Sequence, residues 1–187
     1  MRDIHQQILE FLRTGAGCAL ATIVRASGST PQKPGSSALF IEQGLMAGTV
    51  GGGLLESEVQ LITESILISG VSYQFYFNLD SEKDSGGAIC GGEAEVLIDA
   101  TPSAHLTILE KMEKSLSLRK DGYLLTGVSS LSDNGRKIRR YWISGRDQED
   151  LPMDMDSAFR ELVREQLKNA ERHGFIEIDL SSVPHLS

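Results

Sequence analysis

Cysteine is scarce: only Cys18 and Cys90 occur in 187 residues. Two thiols make neither a disulfide framework nor a four-ligand zinc site. The four histidines, His5, His105, His173 and His185, are scattered, and no Asp or Glu spacing completes a metal cluster around them. No Ser-His-Asp arrangement can be assembled from the pattern. Basic residues are also in deficit. Eighteen Lys and Arg face 26 Asp and Glu, a formal net charge of −8, which excludes the basic stripe of a nucleic-acid surface. No stretch approaches the ~18 apolar residues that a membrane helix requires. Met1 to Arg13 is interrupted by Arg2, Asp3 and Glu10, so no signal peptide is evident. These absences predict a cytoplasmic protein with neither nucleic acid nor membrane as a partner. Two common nucleotide motifs are missing as well. There is no Gly-x4-Gly-Lys-Ser/Thr run. The only candidate for G-x-G-x-x-G is Gly51, Gly53 and then Glu56, which stands where the third glycine should let helix and strand pack closely. Ordinary ATP-binding and NAD-binding units are thereby excluded.

Glycine is concentrated. Of the 19 glycines, 14 lie between Gly15 and Gly92, which places the unusual backbone, and with it the candidate site, in the first half. The composition, 40% hydrophobic and 24% charged, supports a real core. Ile4, Ile8, Phe11 and Leu12 mark a first helix ended by Gly15 and Gly17. Cys18 to Val24 is nearly continuous apolar, as in a strand buried on both faces, with Cys18 a small core residue. Leu39–Ile41 and Leu45–Ala47 read as paired strands, and Leu55, Val59, Ile62 and Ile66 mark a helix stopped by Gly70. Val71 to Phe77 and Glu93 to Asp99 are further strands. Beyond them come a helix around Leu106 to Leu116 and strands Tyr123 to Ser130 and Ile138 to Ile143, joined through Asn134-Gly135. A helix carrying Phe159, Leu162, Val163 and Leu167 and a strand from Phe175 follow. The basic cluster Arg136, Lys137, Arg139 and Arg140 reads as one edge of a hairpin, offset by the acidic run Asp147 to Asp156. The expected class is α/β (α+β): a mixed β-sheet flanked by helices, with a glycine-rich strand-to-helix turn and no Rossmann fingerprint.

Three stretches carry chemistry. At Gly51-Gly52-Gly53 a strand ends and a helix opens, where bare N–H groups and the helix dipole favour an anion. Glu56, in the first helical turn, complements the dipole itself and repels an anion. It either stabilises the helix end or accepts from a donor on a ligand, and both readings stand. Arg25 to Ser37 is loop chemistry, with two prolines, two glycines and five hydroxyls. It is a solvated turn, or a holder of an anion through Arg25, Ser29, Thr30 and Lys33. Cys90, beside Gly91 and Gly92, is a buried thiol where only small residues fit, or a thiolate suited to a soft metal.

In order, G-S-T-P-Q-K-P-G at Gly28 to Gly35, G-T-V-G-G-G-L-L-E at Gly48 to Glu56 and C-G-G-E-A-E-V at Cys90 to Val96 resemble the XdhC/CoxI family of xanthine dehydrogenase accessory proteins. The resemblance covers Ile4 to about Ala100, so residues 1–100 are expected to form the family-like domain, with 101–187 an α/β extension packed with it. It implies a cytoplasmic chaperone that binds molybdopterin or the molybdenum cofactor. Such a protein supports the cofactor's sulfuration with a cysteine desulfurase and delivers it to a molybdenum hydroxylase apoenzyme. On this reading Arg25, Lys33 and the Gly51 to Gly53 amides face the pterin phosphate, with Ser29 and Thr30 beside them. Glu56 accepts from the ring, and Cys90, with Gly91 and Gly92, meets the metal and its sulfur ligands. The sequence departs from the family at Ser37, often a basic position, and in having no C-terminal Rossmann domain. That suggests a short form, a fragment or half of a split system. A separate Rossmann-domain partner and a homo-oligomer stay open. So do two other readings: an enzyme acting on a phosphorylated or nucleotide-like substrate, and a partner-binding module.

Overall fold

A computed structural model describes residues 4–30, 32–78, 92–120, 122–131, 134–144, 151, 155, 157–169 and 174–179. The chain divides into two compact units, residues 1–103 and 104–187. Both combine helices and strands, the mixed α/β class that the sequence pattern predicts.

The first unit holds helix α1 (Ile4–Leu12), strands β1 (Ala19–Gly28), β2 (Ser37–Ile41) and β3 (Gly44–Gly48), helix α2 (Gly53–Ser69), and strands β4 (Tyr73–Asn78) and β5 (Gly92–Asp99). The five strands form one sheet in the order β3-β2-β1-β5-β4, every neighbouring pair antiparallel. The continuous apolar run becomes the central strand, with Ala19 to Val24 all buried. One face of the sheet presents Ala19, Ala21 and Ile23 of β1, Ala38 and Phe40 of β2, and Ala94, Val96 and Ile98 of β5. Leu55, Val59 and Ile66 of α2 pack in the same core. The alanines on β1 leave room for the helix. Each buried Leu, Val or Ile of α2 contributes about 1.5–3 kcal/mol. Gly70 ends the helix in the left-handed region (φ 67°), its N–H donating to the Ile66 carbonyl, a helix stop that glycine makes without strain.

One local expectation needs correcting. Arg25 to Gly28 are not loop but the last residues of β1, paired with Glu95, Ala94, Glu93 and Gly92 of β5 across a bulge near Val24. Their turn-forming composition is overridden by the ladder that β5 offers. The bulge shifts the side-chain alternation, so Ala26 stays with the core face while Arg25 stands level with Glu95.

The second unit holds α3 (Leu106–Ser117), β6 (Gly122–Ser130), β7 (Arg136–Ser144), α4 (Ser157–Asn169) and β8 (Gly174–Asp179). Its sheet has the order β7-β6-β8, with β6 antiparallel to β7 and parallel to β8. Asn134 takes φ 61° in the β6–β7 connection, as the Asn-Gly pair predicts. Phe159, Val163 and Leu167 of α4 fill a core with Tyr123, Leu125, Tyr141 and Ile143. The basic cluster lies on β7, an edge strand of this sheet.

Candidate functional site

Strand direction gathers the three glycine-rich motifs at one end of the five-stranded sheet. β1 ends at Gly28, level with Gly92, where β5 begins. β2 begins at Ser37, and β3 ends at Gly48, level with Ala38. The second motif is tied to the start of β2, two residues past the first motif, and the third motif touches the first directly. The Thr49 N–H donates to the Ser37 carbonyl at 3.2 Å. A Cβ at Gly92 would lie 2.6 Å from the Ser27 carbonyl oxygen, 3.1 Å from the Ser29 nitrogen and 3.1 Å from Thr30 Cγ2. Gly92 is therefore glycine because the first motif lies against it. Cys90 and Gly91 fall outside the described residues, so the metal-ligand reading of Cys90 has no geometry here. Among the described residues, no group of three or more His, Cys, Asp or Glu side chains could hold a metal ion.

The second motif closes on itself. Thr49 Oγ1 donates to Glu56 Oε1 at 2.6 Å and the Val50 N–H donates to the same oxygen at 3.2 Å. The Gly51 N–H in turn donates to Thr49 Oγ1 at 3.0 Å. Gly51, Gly52 and Gly53 all take positive φ, which lets the chain reverse tightly enough for Glu56 to reach back. Of the two readings of Glu56, the geometry supplies the internal one: its carboxylate staples the turn that precedes its own helix. Gly52 caps α2 without a side-chain hydrogen bond among the described residues. The amides of the first turn thus keep the anion-favouring character of a helix start.

The first motif is ordered from within. Thr30 Oγ1 donates to the Gln32 carbonyl, Ser36 Oγ to Gln32 Oε1, and Ser37 Oγ to the Gly35 carbonyl. Lys33 and Ser29 are exposed. Arg25 is engaged: its Nη1 lies 3.3 Å from Oε2 of Glu95, a side chain only 5% exposed. Gln74 Nε2 donates to Glu95 Oε1 at 2.9 Å. Tyr76 hydrogen-bonds the same carboxylate, and that bond, followed by the carboxylate's charge, raises the phenol above its ordinary 10.0. A buried carboxylate with a cation and two further donors forms a cross-strand cluster over β1, β5 and β4. Sequence reasoning missed Glu95, Gln74, Tyr76 and Thr49. For Glu95 a signal existed: it stands between Ala94 and Val96 in the strand, and a charge there is costly to bury unless paired.

Cys18 is a core thiol, as its place in the apolar run predicts. Burial first, and the nearby negative charge of Asp99 second, push its pKa from 9.0 up to about 11. In the folded chain it should not react with a thiol-specific disulfide reagent at pH 8, and it should react on unfolding; native-state labelling would refute this placement. The unfolded thiol ionises near 9.0 and the folded one near 11, so the contribution is intact below pH 9 and is lost as pH rises toward 11.

Residues 11–75 match the model of the XdhC and CoxI family. The matched segment is about a third of the chain. It contains the first two motifs whole, from β1 through α2. No curated protein matches the chain. A crystal structure from Bacillus halodurans, of a protein described as a xanthine dehydrogenase, is 24% identical, with a TM-score of 0.58 over 83% of this chain and 50% of that one. At that identity the likeness is one of fold, and it reaches beyond the segment that matches the family model. The present chain spans about half the length of that protein. Among the described residues, no helix is long and apolar enough to cross a membrane.

Proposed function

We propose that this chain is an accessory protein of a xanthine dehydrogenase system that binds the molybdopterin cofactor and aids its maturation or its insertion into a molybdenum hydroxylase. The observation that carries the reading is the meeting of three glycine-rich motifs at one end of a single sheet, within and just beyond the XdhC and CoxI segment. The residues there suit a phosphorylated pterin. The first turn of α2, which has no side-chain cap among the described residues, and the exposed Lys33 favour a phosphate, and the Gly51 to Gly53 backbone admits close approach. Glu56 is already bonded within its own turn, which makes it a poor general base and favours a holder over an enzyme. Delivery to a molybdenum hydroxylase and sulfuration with a cysteine desulfurase belong to the same reading.

The test is co-elution. Mixed with molybdenum cofactor released from a molybdenum hydroxylase, the chain should carry pterin fluorescence and molybdenum through gel filtration. Cys90→Ser should lower the retained metal more than Cys18→Ser does. Absence of retention would overturn the reading, and equal effects of the two substitutions would remove Cys90 from the site.

A further inference from the structure

Helix α2 is apolar on two faces. Leu55, Val59 and Ile66 fill the core. On the other side Leu54, Leu61 and Ile68 stand 51%, 63% and 89% exposed. They recur every seven residues, a spacing that drifts only about 20° per step around a helix, so they form one stripe about 21 Å long. Ser57 and Ser65 lie between them, small enough to admit a partner's side chains. The core does not need this stripe, and three exposed large apolar residues in one line mark an interaction surface.

Its charge indicates what covers it. The exposed acids of the helix are Glu58 and Glu64, one on each flank of the stripe, and α2 contains no Lys or Arg. Its C-terminal turn, where the dipole is negative, has no basic residue either, so that end too favours a cation. A second copy of the chain fits poorly. Pairing two copies through this stripe would bring two acidic faces together, with no Lys or Arg on either α2 to offset them. Like charges so juxtaposed are repulsive. The complementary surface is an apolar ridge edged by Lys and Arg. The stripe starts at Leu54, one residue after the glycine turn, so a partner seated on it reaches the motif end of the sheet.

We propose that the outer face of α2 docks the xanthine dehydrogenase-type enzyme that this chain serves, through an apolar surface rimmed with basic side chains. This rests on the accessory reading above. The test is titration calorimetry of the full chain into the purified apoenzyme from the same source. Leu61→Glu, at an exposed position, should weaken binding roughly tenfold or more. Glu58→Lys with Glu64→Lys should weaken it and remove most of its salt dependence. Circular dichroism should show both variants folded. Wild-type binding that both variants retain would overturn the docking surface and leave the accessory reading intact. Absence of wild-type binding would overturn both. A wild-type dimer that Leu61→Glu dissolves would overturn the proposal in favour of a second copy.

Discussion

Replacing Gly48 by alanine should lower the unfolding free energy by about 3–4 kcal/mol, whereas Gly52→Ala should cost about 1–2 kcal/mol. Both glycines hold positive φ, 85° and 76°, so both substitutions are strained. Only the first also collides. A Cβ at Gly48 would run into the Ser37 carbonyl oxygen and lie 3.0 Å from Ala38 Cα, both backbone of the paired strand β2. The third neighbour, Ile4 Cδ1 at 3.2 Å, is a side-chain end that can turn aside. At Gly52 nothing lies within 4 Å, so the backbone conformation alone is penalised. The difference is large against the 5–15 kcal/mol that stabilises a typical domain. It can be read from urea transitions followed by circular dichroism. Equal midpoints for the two variants would show that β2 and β3 separate more easily than their pairing implies. Gly48→Ala should also disturb the motif end, because the next residue, Thr49, ties the second motif to Ser37 at the start of β2.

The contrast between these glycines bears on what a sequence can reveal. Both look alike in G-T-V-G-G-G, and only the register of β2 against β3 tells a glycine needed for space from one needed for conformation. Periodicity, by comparison, carries its own physical meaning. Leu55, Val59, Ile62 and Ile66 can share a face only on a helix, and Cys18 to Val24 can be buried throughout only in an interior strand. Those elements were legible, as was the Asn-Gly connection of β6 and β7. The end of β1 was not. Arg25 to Gly28 has turn-like composition, and its strand conformation comes from β5, some seventy residues away. Glu56 was legible by position but not by role, since its partners Thr49 and Val50 depend on the path of the glycine turn. Glu95 was least legible, because its environment is assembled from three strands that meet only in the folded sheet.

For that cluster, Arg25→Met should cost about 2–3 kcal/mol, and Glu95→Gln less than half as much. Removing the guanidinium leaves a carboxylate that is 5% exposed beside the neutral donors Gln74 and Tyr76, and an uncompensated buried charge is the expensive half of a broken ion pair. The cost stays below the upper range for fully buried pairs because the Arg25 side chain is 59% exposed, and water reaches the pair from that side. Glutamine at position 95 keeps the volume and a carbonyl acceptor, and it releases Arg25 to a solvent that hydrates it well. In the double variant the penalties should not add. With no carboxylate to strand, losing the arginine should cost little, leaving a coupling of about 1–2 kcal/mol. Urea transitions of the four proteins give this cycle directly. An Arg25→Met variant as stable as the parent would show that Glu95 does not depend on the arginine, and would free Arg25 for the phosphate-binding role its place beside the first motif suggested. A large coupling would mean that Arg25 can serve an anionic ligand only by sharing its charge with Glu95, leaving Lys33 and the first turn of α2 as the stronger claimants for the phosphate.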